Sequence, residues 1–331
     1  MTAHMPTPDG PWHLRDVPCD FCGSADADIL CRGFDRLHGL PGEFHLVACR
    51  QCGLARTNPQ PTPESLPTAY PSSYEPHQGL RQPARPPARL LRWALVNQRG
   101  YPLGRPSAAP LRWLMWPWAT LALRRRRAMG YIAYEGNGRL LDFGCGAGGY
   151  IARMVAAGWR AEGLDASPHA VRAGTEAGLV VHQGTLPGAG LPAGAFDVVT
   201  LWASLEHVPS PMAVLKAVRA LLSPGGRIVA AVPQFGGRSA RWFGSAWFGL
   251  DLPRHLTHFS QLTLRRHMEA AGLVVEGVQC VRRPSFIRRS FAQLADEKGR
   301  SIHRRLARSR FLAGLLGYAT VPGGATDEIL V

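Results

Sequence analysis

The 331-residue chain exceeds one ordinary domain, and 46% hydrophobic content gives it enough apolar material for a sizeable core. Its formal net charge of +15 is concentrated in two arms: residues 81–127 hold eleven Arg and no acid, and residues 282–310 hold ten Arg or Lys against Asp296 and Glu297. The remainder sums to about −4, which excludes a uniformly basic protein, and the lack of an apolar run in residues 1–18 disfavours a secretory leader.

Residues 1–58 read as a zinc-ribbon-like module. Cys19-x-x-Cys22 and Cys49-x-x-Cys52 supply four thiolates in two knuckles, the donor set of a structural tetrahedral zinc. "CDFCGS" and "CRQCGL" each place glycine after the second cysteine, as knuckle turns prefer, and the 26 residues between the pairs ask for a hairpin. Unpaired core thiols are the alternative. Cys31, Cys145 and Cys280 are left over and read as buried thiols. Seven cysteines, two pairs of them spaced C-x-x-C, point to metal rather than disulfides and to a cytoplasmic location.

Residues 59–87 contain nine prolines and read as an irregular linker. Residues 88–135 form a Trp/Arg-rich helical segment. Its longest charge-free apolar run, Trp113 to Leu123, is too short for a bilayer span, which needs about 20 residues. Two readings of 88–127 stay open: an interfacial helix peripheral to the inner membrane face, or a pair of helices covering the core. The abundance of Arg over Lys suits phosphate, carboxylate or headgroup contacts, although a coding bias toward Arg explains it equally well.

Residues 136–331 alternate. β-like runs "RLLDF", "RAEGLD", "GLVVHQ", "FDVVTLW", "GRIVAAVP" and "LVVEGVQC" interleave with helical stretches 148–157, 168–177, 211–222 and 260–271. This predicts an α/β fold with a Rossmann-like, doubly wound, mostly parallel seven-stranded sheet. "TDEILV" offers one final strand, and residues 282–310 read as basic amphipathic helix.

The loop "LLDFGCGAGGY" matches G-x-G-x-x-G through Gly144, Gly146 and Gly149. Asp165, 19 residues past Gly146, is placed to accept ribose hydroxyls of either NAD or S-adenosylmethionine. Asp142 discriminates, because a carboxylate entering the glycine turn repels a dinucleotide pyrophosphate and attracts an ammonium and a sulfonium.

From Arg139 to about Cys280, some two fifths of the chain, the sequence resembles the class I S-adenosylmethionine-dependent methyltransferases, particularly the small-molecule branch with quinone, sugar and natural-product O- and C-methyltransferases. The resemblance is carried by "LLDFGCGAGGY", "GLDASPHAV", "GTLPGAGLPAGAFDVVTLWASLEHVPSPMAVL", "LLSPGGRIVAAVP" and "DLPRHLTHFSQLTLRRHMEAAGL". It implies that Asp142, Gly144, Cys145 and Gly146 line the methionine portion of S-adenosylmethionine. Asp165 would hold the ribose, with Ala166 beside the adenine and Thr185 and Leu186 flanking the ring. Many relatives carry an acid near Thr185; its lack here leaves a backbone group for the adenine contact. Trp202 would close the pocket on the methionine side.

Methyl transfer requires chiefly positioning and, for a hydroxyl or carbon acid, a base. Glu206 and His207 in "SLEHV" follow the strand ending at Trp202. In some relatives an added upstream carboxylate lets such a pair bind a divalent metal, but Ala203 stands at that position, which favours His207 as base. His255 and His258 in "PRHLTHF" form a second pair whose spacing would share one face on a helix. The aromatics of "RWFGSAWFGLDLP" are placed by the resemblance over the active site, as an acceptor pocket.

The sequence therefore predicts methyl transfer to an O or C atom of a small-molecule or lipid- or sugar-linked acceptor, with a histidine base. Two other readings remain: an RNA methyltransferase gripping phosphate through the ribbon and Arg-rich arms, and a cofactor-binding relative without chemistry. Cys19 to Cys52 carries no excess of bases over acids, which disfavours nucleic acid. The acceptor and the oligomeric state are not legible in these motifs.

Overall fold

The structure is a computed structural model that describes residues 12–71, 73–79, 84–124, 130–281, 283–298, 301–309 and 328–331. Residues 81–83 and 125–127 of the first basic arm, and residues 282, 299, 300 and 310 of the second, lie outside the described residues. Contacts divide the chain into two bodies: Met1–Pro71 with Ala203–Lys216 and Ala230–Val331, and Ser72–Trp202 with Ala217–Val229.

In chain order, β1 (Leu14–Arg15), β2 (Ala27–Gly33), β3 (Phe44–Cys49), β4 (Ala55–Thr57) and β5 (Gln60–Pro61) come first. Helices α1 (Arg89–Arg99) and α2 (Ala109–Arg124) follow. The alternating part begins β6 (Arg139–Phe143), α3 (Gly149–Ala156), β7 (Arg160–Asp165), α4 (Pro168–Glu176) and β8 (Val181–Gln183). It continues with β9 (Phe196–Trp202), α5 (Pro211–Leu221), β10 (Leu222–Pro233), α6 (Arg238–Phe243), β11 (Thr257–His258) and α7 (Gln261–Ala270). Last come β12 (Gln279–Val281), α8 (Pro284–Lys298), α9 (Ser301–Arg308) and β13 (Glu328–Leu330).

Seven strands form one sheet in the order β12-β13-β10-β9-β6-β7-β8. β6 pairs in parallel with β7 and β9, and β7 with β8, whereas β13 is antiparallel to β10 and β12. This is the mostly parallel sheet that the alternating pattern predicts. Every residue of β9 is buried, as expected of a strand covered on both faces. "LVVEGVQC" departs from its reading: only Gln279–Val281 pairs, and Val274 at 88% exposure has no sheet to enter.

In the second body, Asp197 clamps the start of β6. Its carboxylate accepts from the backbone N–H of Asn137 and Arg139 at 2.9 and 3.0 Å and pairs with the Arg139 guanidinium at 2.8 Å. Ser223 donates to it at 3.1 Å. Gly136 makes room: at φ +52°, a Cβ there would stand 2.6 Å from the Asp197 carboxyl carbon.

In the first body, β2, β3, β4 and β11 make an antiparallel sheet in the order β11-β4-β3-β2. The N-terminal cysteine segment thus takes its edge strand from residues 257–258, far along the chain, with Thr257 opposite Arg56 and His258 opposite Ala55. Phe44, Leu46 and Ala55 pack with Phe243, Trp247, Leu250, Leu252 and Ile287 in one apolar cluster. Phe243 and Trp247 are therefore core of this body rather than lining for an acceptor, because the inner face of the short sheet has to be covered. The proline-rich linker likewise contributes a strand, β5, which pairs antiparallel with β1.

The Arg139 guanidinium holds the Asp197 carboxyl well below the usual carboxylate range. A carboxyl with a depressed folded pKa contributes stability above its unfolded pKa, about 3.9, and loses it as pH falls through the folded value. Asp197→Asn is expected to lower stability at neutral pH by about 1–3 kcal/mol. The loss should shrink toward acid, as read by urea unfolding across the acidic range.

Candidate functional site

In the second body, the apolar run of β6 carries Asp142 into the interior, where it is 2% exposed. The Thr200 hydroxyl donates to its carboxylate at 2.7 Å. Burial pushes Asp142 up to about 7, the Asp165 charge adding to the effect and Thr200 opposing it. Asp165, at the end of β7, accepts from Gly146 N–H at 2.8 Å with one oxygen and from Ser167 N–H at 2.9 Å with the other. Each oxygen keeps a lone pair for a ligand hydroxyl.

Between them runs the glycine turn. Gly144, Gly146 and Gly148 have positive φ, and Gly148 caps α3, so Gly149 is its first helical residue and not part of the turn. Gly146 is required by close approach: a Cβ would lie 2.3 Å from the Pro76 carbonyl oxygen. That carbonyl accepts from Ala147 N–H at 3.0 Å. Cys145 is buried, and its thiol packs against Gly163, so only its backbone faces outward for a ligand. Trp202 is buried edge-on to Tyr150 at 5.4 Å, with an indole N–H that has no hydrogen-bond partner. Leu186 is buried, whereas Ala166 and Thr185 are exposed.

Pro76 and His77 escaped the sequence reading. They lie in a 3-10 turn, Glu75–His77, inside the proline-rich stretch, and burial lowers the His77 imidazole while the Asp165 charge opposes the shift. No periodicity marks them.

In the first body, Glu206, His207, His255 and His258 converge. His255 and His258 do so without a helix: His255 follows the turn at residues 252–254 and His258 lies in β11, with ring centroids 6.2 Å apart. The helical spacing argument therefore fails at this pair, because the strand partner Ala55 fixes His258 in extended backbone. The three rings are not equivalent. His255 Nδ1 sits 2.9 Å from the Gly249 carbonyl, which can only accept, so Nδ1 carries the proton and Nε2 is left with a lone pair. His207 Nδ1 donates to the Arg254 carbonyl at 3.1 Å and lies 3.0 Å from the Tyr70 hydroxyl, again leaving Nε2. Thr57 spends its hydroxyl proton on the His255 carbonyl at 2.6 Å and accepts from His258 Nε2 at 3.2 Å, so that nitrogen is committed.

Burial pushes His207 and His258 down to about 3, with His255 adding to both shifts, and lowers His255 as well, so all three are neutral. Glu206 is 1% exposed, both carboxylate oxygens lack a hydrogen-bond partner, and burial pushes it up to about 8. His255 Nε2 lies 3.9 Å from Glu206 and 3.8 Å from Asp251. Donor atoms of Glu206, His207 and His255 all fall within 4.8 Å of one another, a metal-compatible set in which His255, and not position 203, supplies the third group.

Arg254 fixes this loop. Its fully buried guanidinium pairs with Asp35 at 2.6 Å and Asp251 at 2.7 Å, and donates to the Ala69 carbonyl at 3.2 Å.

The four cysteines of the N-terminal segment also come together, with all four sulfurs within 4.8 Å. Cys19 and Cys52 sulfurs are 3.4 Å apart, and those of Cys22 and Cys49 3.5 Å. Gly23 and Gly53 donate to the Cys19 and Cys49 carbonyls, closing both knuckle turns. Four thiols at this spacing fit a tetrahedral zinc with sulfur ligands at about 2.3 Å. All four positions would be filled by protein, the closed shell of a structural metal.

Residues 119–278 match the family described as "Methyltransferase domain". A ubiquinone biosynthesis O-methyltransferase of Ralstonia nicotianae is 39% identical over 97 residues, 27% of this chain and 41% of that protein. The protein of the same name in Xanthomonas axonopodis pv. citri is 31% identical over 156 residues, covering 42% and 64%. The chain thus spans about half the length of these curated relatives. Among solved structures, an S-adenosylmethionine-dependent methyltransferase from Mesorhizobium loti is 20% identical over 63% of this chain and 94% of its own, with a TM-score of 0.41. A putative methyltransferase from Haloferax volcanii, solved with the Trm112 activator, is 19% identical over 74% and 96%, with a TM-score of 0.43. Residues 119–278 are thus similar to a methyltransferase domain, and a four-cysteine cluster precedes them.

Purified chain is expected to hold one zinc, released on unfolding and counted with a chromogenic chelator. Cys22→Ser or Cys52→Ser should abolish retention and lower the melting temperature, whereas Cys31→Ser should retain the metal.

Proposed function

We propose that the chain transfers a methyl group from S-adenosylmethionine to an oxygen or carbon of a small-molecule or lipid- or sugar-linked acceptor. The observation that carries this reading is the buried pair Asp142 and Asp165 on either side of the glycine turn. The names of the matched relatives favour an oxygen acceptor.

When bound, the donor supplies a methyl carbon activated by a positively charged sulfur. Asp165 accepts from the ribose hydroxyls through its remaining lone pairs. Asp142 faces the positive charge of the methionine portion, and Gly144, Cys145 and Gly146 offer backbone against which that portion lies. Ala166, Thr185 and Leu186 flank the adenine, with a backbone group in place of the acid that Thr185 lacks. Trp202 closes the methionine side.

For the acceptor proton, His255 is the preferred base. Its Nε2 lone pair is free, and the Asp251 carboxylate at 3.8 Å, which Arg254 keeps ionised, stabilises the imidazolium once formed. His207 has a free Nε2 but forms no ion pair with a carboxylate among the described residues, and His258 Nε2 is committed to Thr57. The structural zinc takes no part in the chemistry.

The pH dependence of donor binding tests the cofactor assignment. With Asp142 near 7 in the free protein, a cationic ligand favours the ionised form, so affinity should rise as pH passes from ~6 to ~8 with release of a proton. Titration calorimetry of S-adenosylmethionine should show this rise, and Asp142→Asn should flatten it. Equal affinity at both pH values in the unaltered chain would remove Asp142 from the donor site.

The base is tested separately. His255→Ala is expected to slow release of S-adenosylhomocysteine by ~10²-fold or more on a panel of phenolic and hydroxylated acceptors, with donor affinity unchanged. Undiminished turnover in His255→Ala and His207→Ala alike would exclude both as the base.

A further inference from the structure

Helix α2 packs the wrong way round for a soluble surface helix. On its inner side Ala119 is fully buried, and Gln98 of α1 donates to the Trp116 carbonyl at 3.2 Å. Its outer side is apolar: Trp113 is 84% exposed, Leu114 72%, Trp118 62% and Leu121 42%. At 100° per residue these four side chains fall within an arc of about 140°, with Ala119 on the far side of the helix. Single exposed apolar residues are ordinary, but a contiguous face of two tryptophans and two leucines is not.

The charge of the same helical segment selects its occupant. Arg89, Arg92, Arg99, Arg105 and Arg112 are exposed on α1, on the connection to α2, and on α2 itself. Residues 81–127 contain no Asp or Glu to offset them. Tryptophan and leucine beside guanidinium groups match the two layers of a lipid surface, with indole rings at the headgroup level and Arg against anionic headgroups. No described helix is long and apolar enough to cross a membrane, which limits α2 to lying in the interface. A nucleic acid would use the Arg side chains but leave Leu114 and Leu121 in water.

We infer that α2 is an in-plane membrane anchor: its Trp113, Leu114, Trp118 and Leu121 face enters the interface of a bilayer containing anionic lipid, helped by the exposed Arg side chains of α1, α2 and their connection. The anchor stands independently of the methyl-transfer reading, since it involves neither donor nor acceptor.

Flotation of the full-length protein with vesicles tests it. The unaltered chain should float with phosphatidylcholine vesicles containing phosphatidylglycerol, bind phosphatidylcholine alone far less, and detach as salt rises. The triple variant Trp113→Ser, Leu114→Ser, Trp118→Ser should bind at least about tenfold more weakly. Its melting temperature should be unchanged, because the replaced side chains are exposed. Brominated lipid should quench tryptophan emission of the unaltered chain, a readout independent of any variant. No flotation with the anionic vesicles, or equal flotation of the triple variant, overturns the inference. So does a dimer of the unaltered chain that ignores vesicles and becomes monomeric in the triple variant, which would assign the face to a second copy.

Discussion

The first body depends on the Arg254 guanidinium. A fully buried cation is tolerable only when nearby oxygens replace the water it has lost, and Asp35, Asp251 and the Ala69 carbonyl do so. Burial would raise the Asp251 carboxyl, but Arg254 holds it below its ordinary value, and the Arg254 cation is held charged. Asp35 also accepts from the backbone N–H of Leu37 and His38 at 3.0 and 3.1 Å. One cation therefore ties the β2–β3 connection, the chain at residue 69, and the loop that presents His255. Asp251 sits at φ +34°, a left-handed conformation that costs a non-glycine residue energy. Its ion pair with Arg254 compensates that cost, and the loop geometry aims His255 Nδ1 at the Gly249 carbonyl.

The two buried acids, Asp142 and Glu206, show how one physical cause leads to different chemistry. Burial raises both. Asp142 keeps a hydroxyl donor in Thr200, which supports its ionised form and leaves the carboxylate poised to respond to a cation. Glu206 has no donor, and its nearest titratable partner is the neutral His255 at 3.9 Å. An unpartnered buried carboxylate is among the more costly features a fold can retain. It becomes useful when a positive charge appears beside it, whether an imidazolium formed by proton uptake or a bound cation.

Local patterns made the sheet and the glycine turn legible in the sequence. "RLLDF", "RAEGLD" and "FDVVTLW" became strands with the same bounds, because each is a short run of mostly buried residues between helical stretches, with β9 buried throughout. The cysteine knuckles were legible for the same reason, each being a four-residue unit. What escaped depends on contacts between distant residues. Pro76 covers Gly146 from within a proline-rich stretch, and Arg254 meets Asp35 across more than two hundred positions. His258 pairs through β11 with a strand two hundred residues earlier, and no spacing rule anticipates that. The aromatics near residue 245 gave a misleading signal: Phe243 and Trp247 look like a pocket in isolation and are the floor beneath a small sheet.

Tryptophan shows where composition stops being informative. Trp159, Trp202 and Trp247 are buried, whereas Trp113, Trp116 and Trp118 are exposed, and nothing about the residue type separates the groups. The local sequence of α2 presents large apolar side chains around most of its circumference, so either side could have turned inward. Ala119 is fully buried on one side of the helix, and the bulky residues opposite it are exposed. The same Arg-rich, acid-free stretch that first raised a choice between covering helix and interfacial helix thus holds a helix that packs on α1 and leaves large apolar side chains exposed, the geometry from which the membrane anchor is inferred.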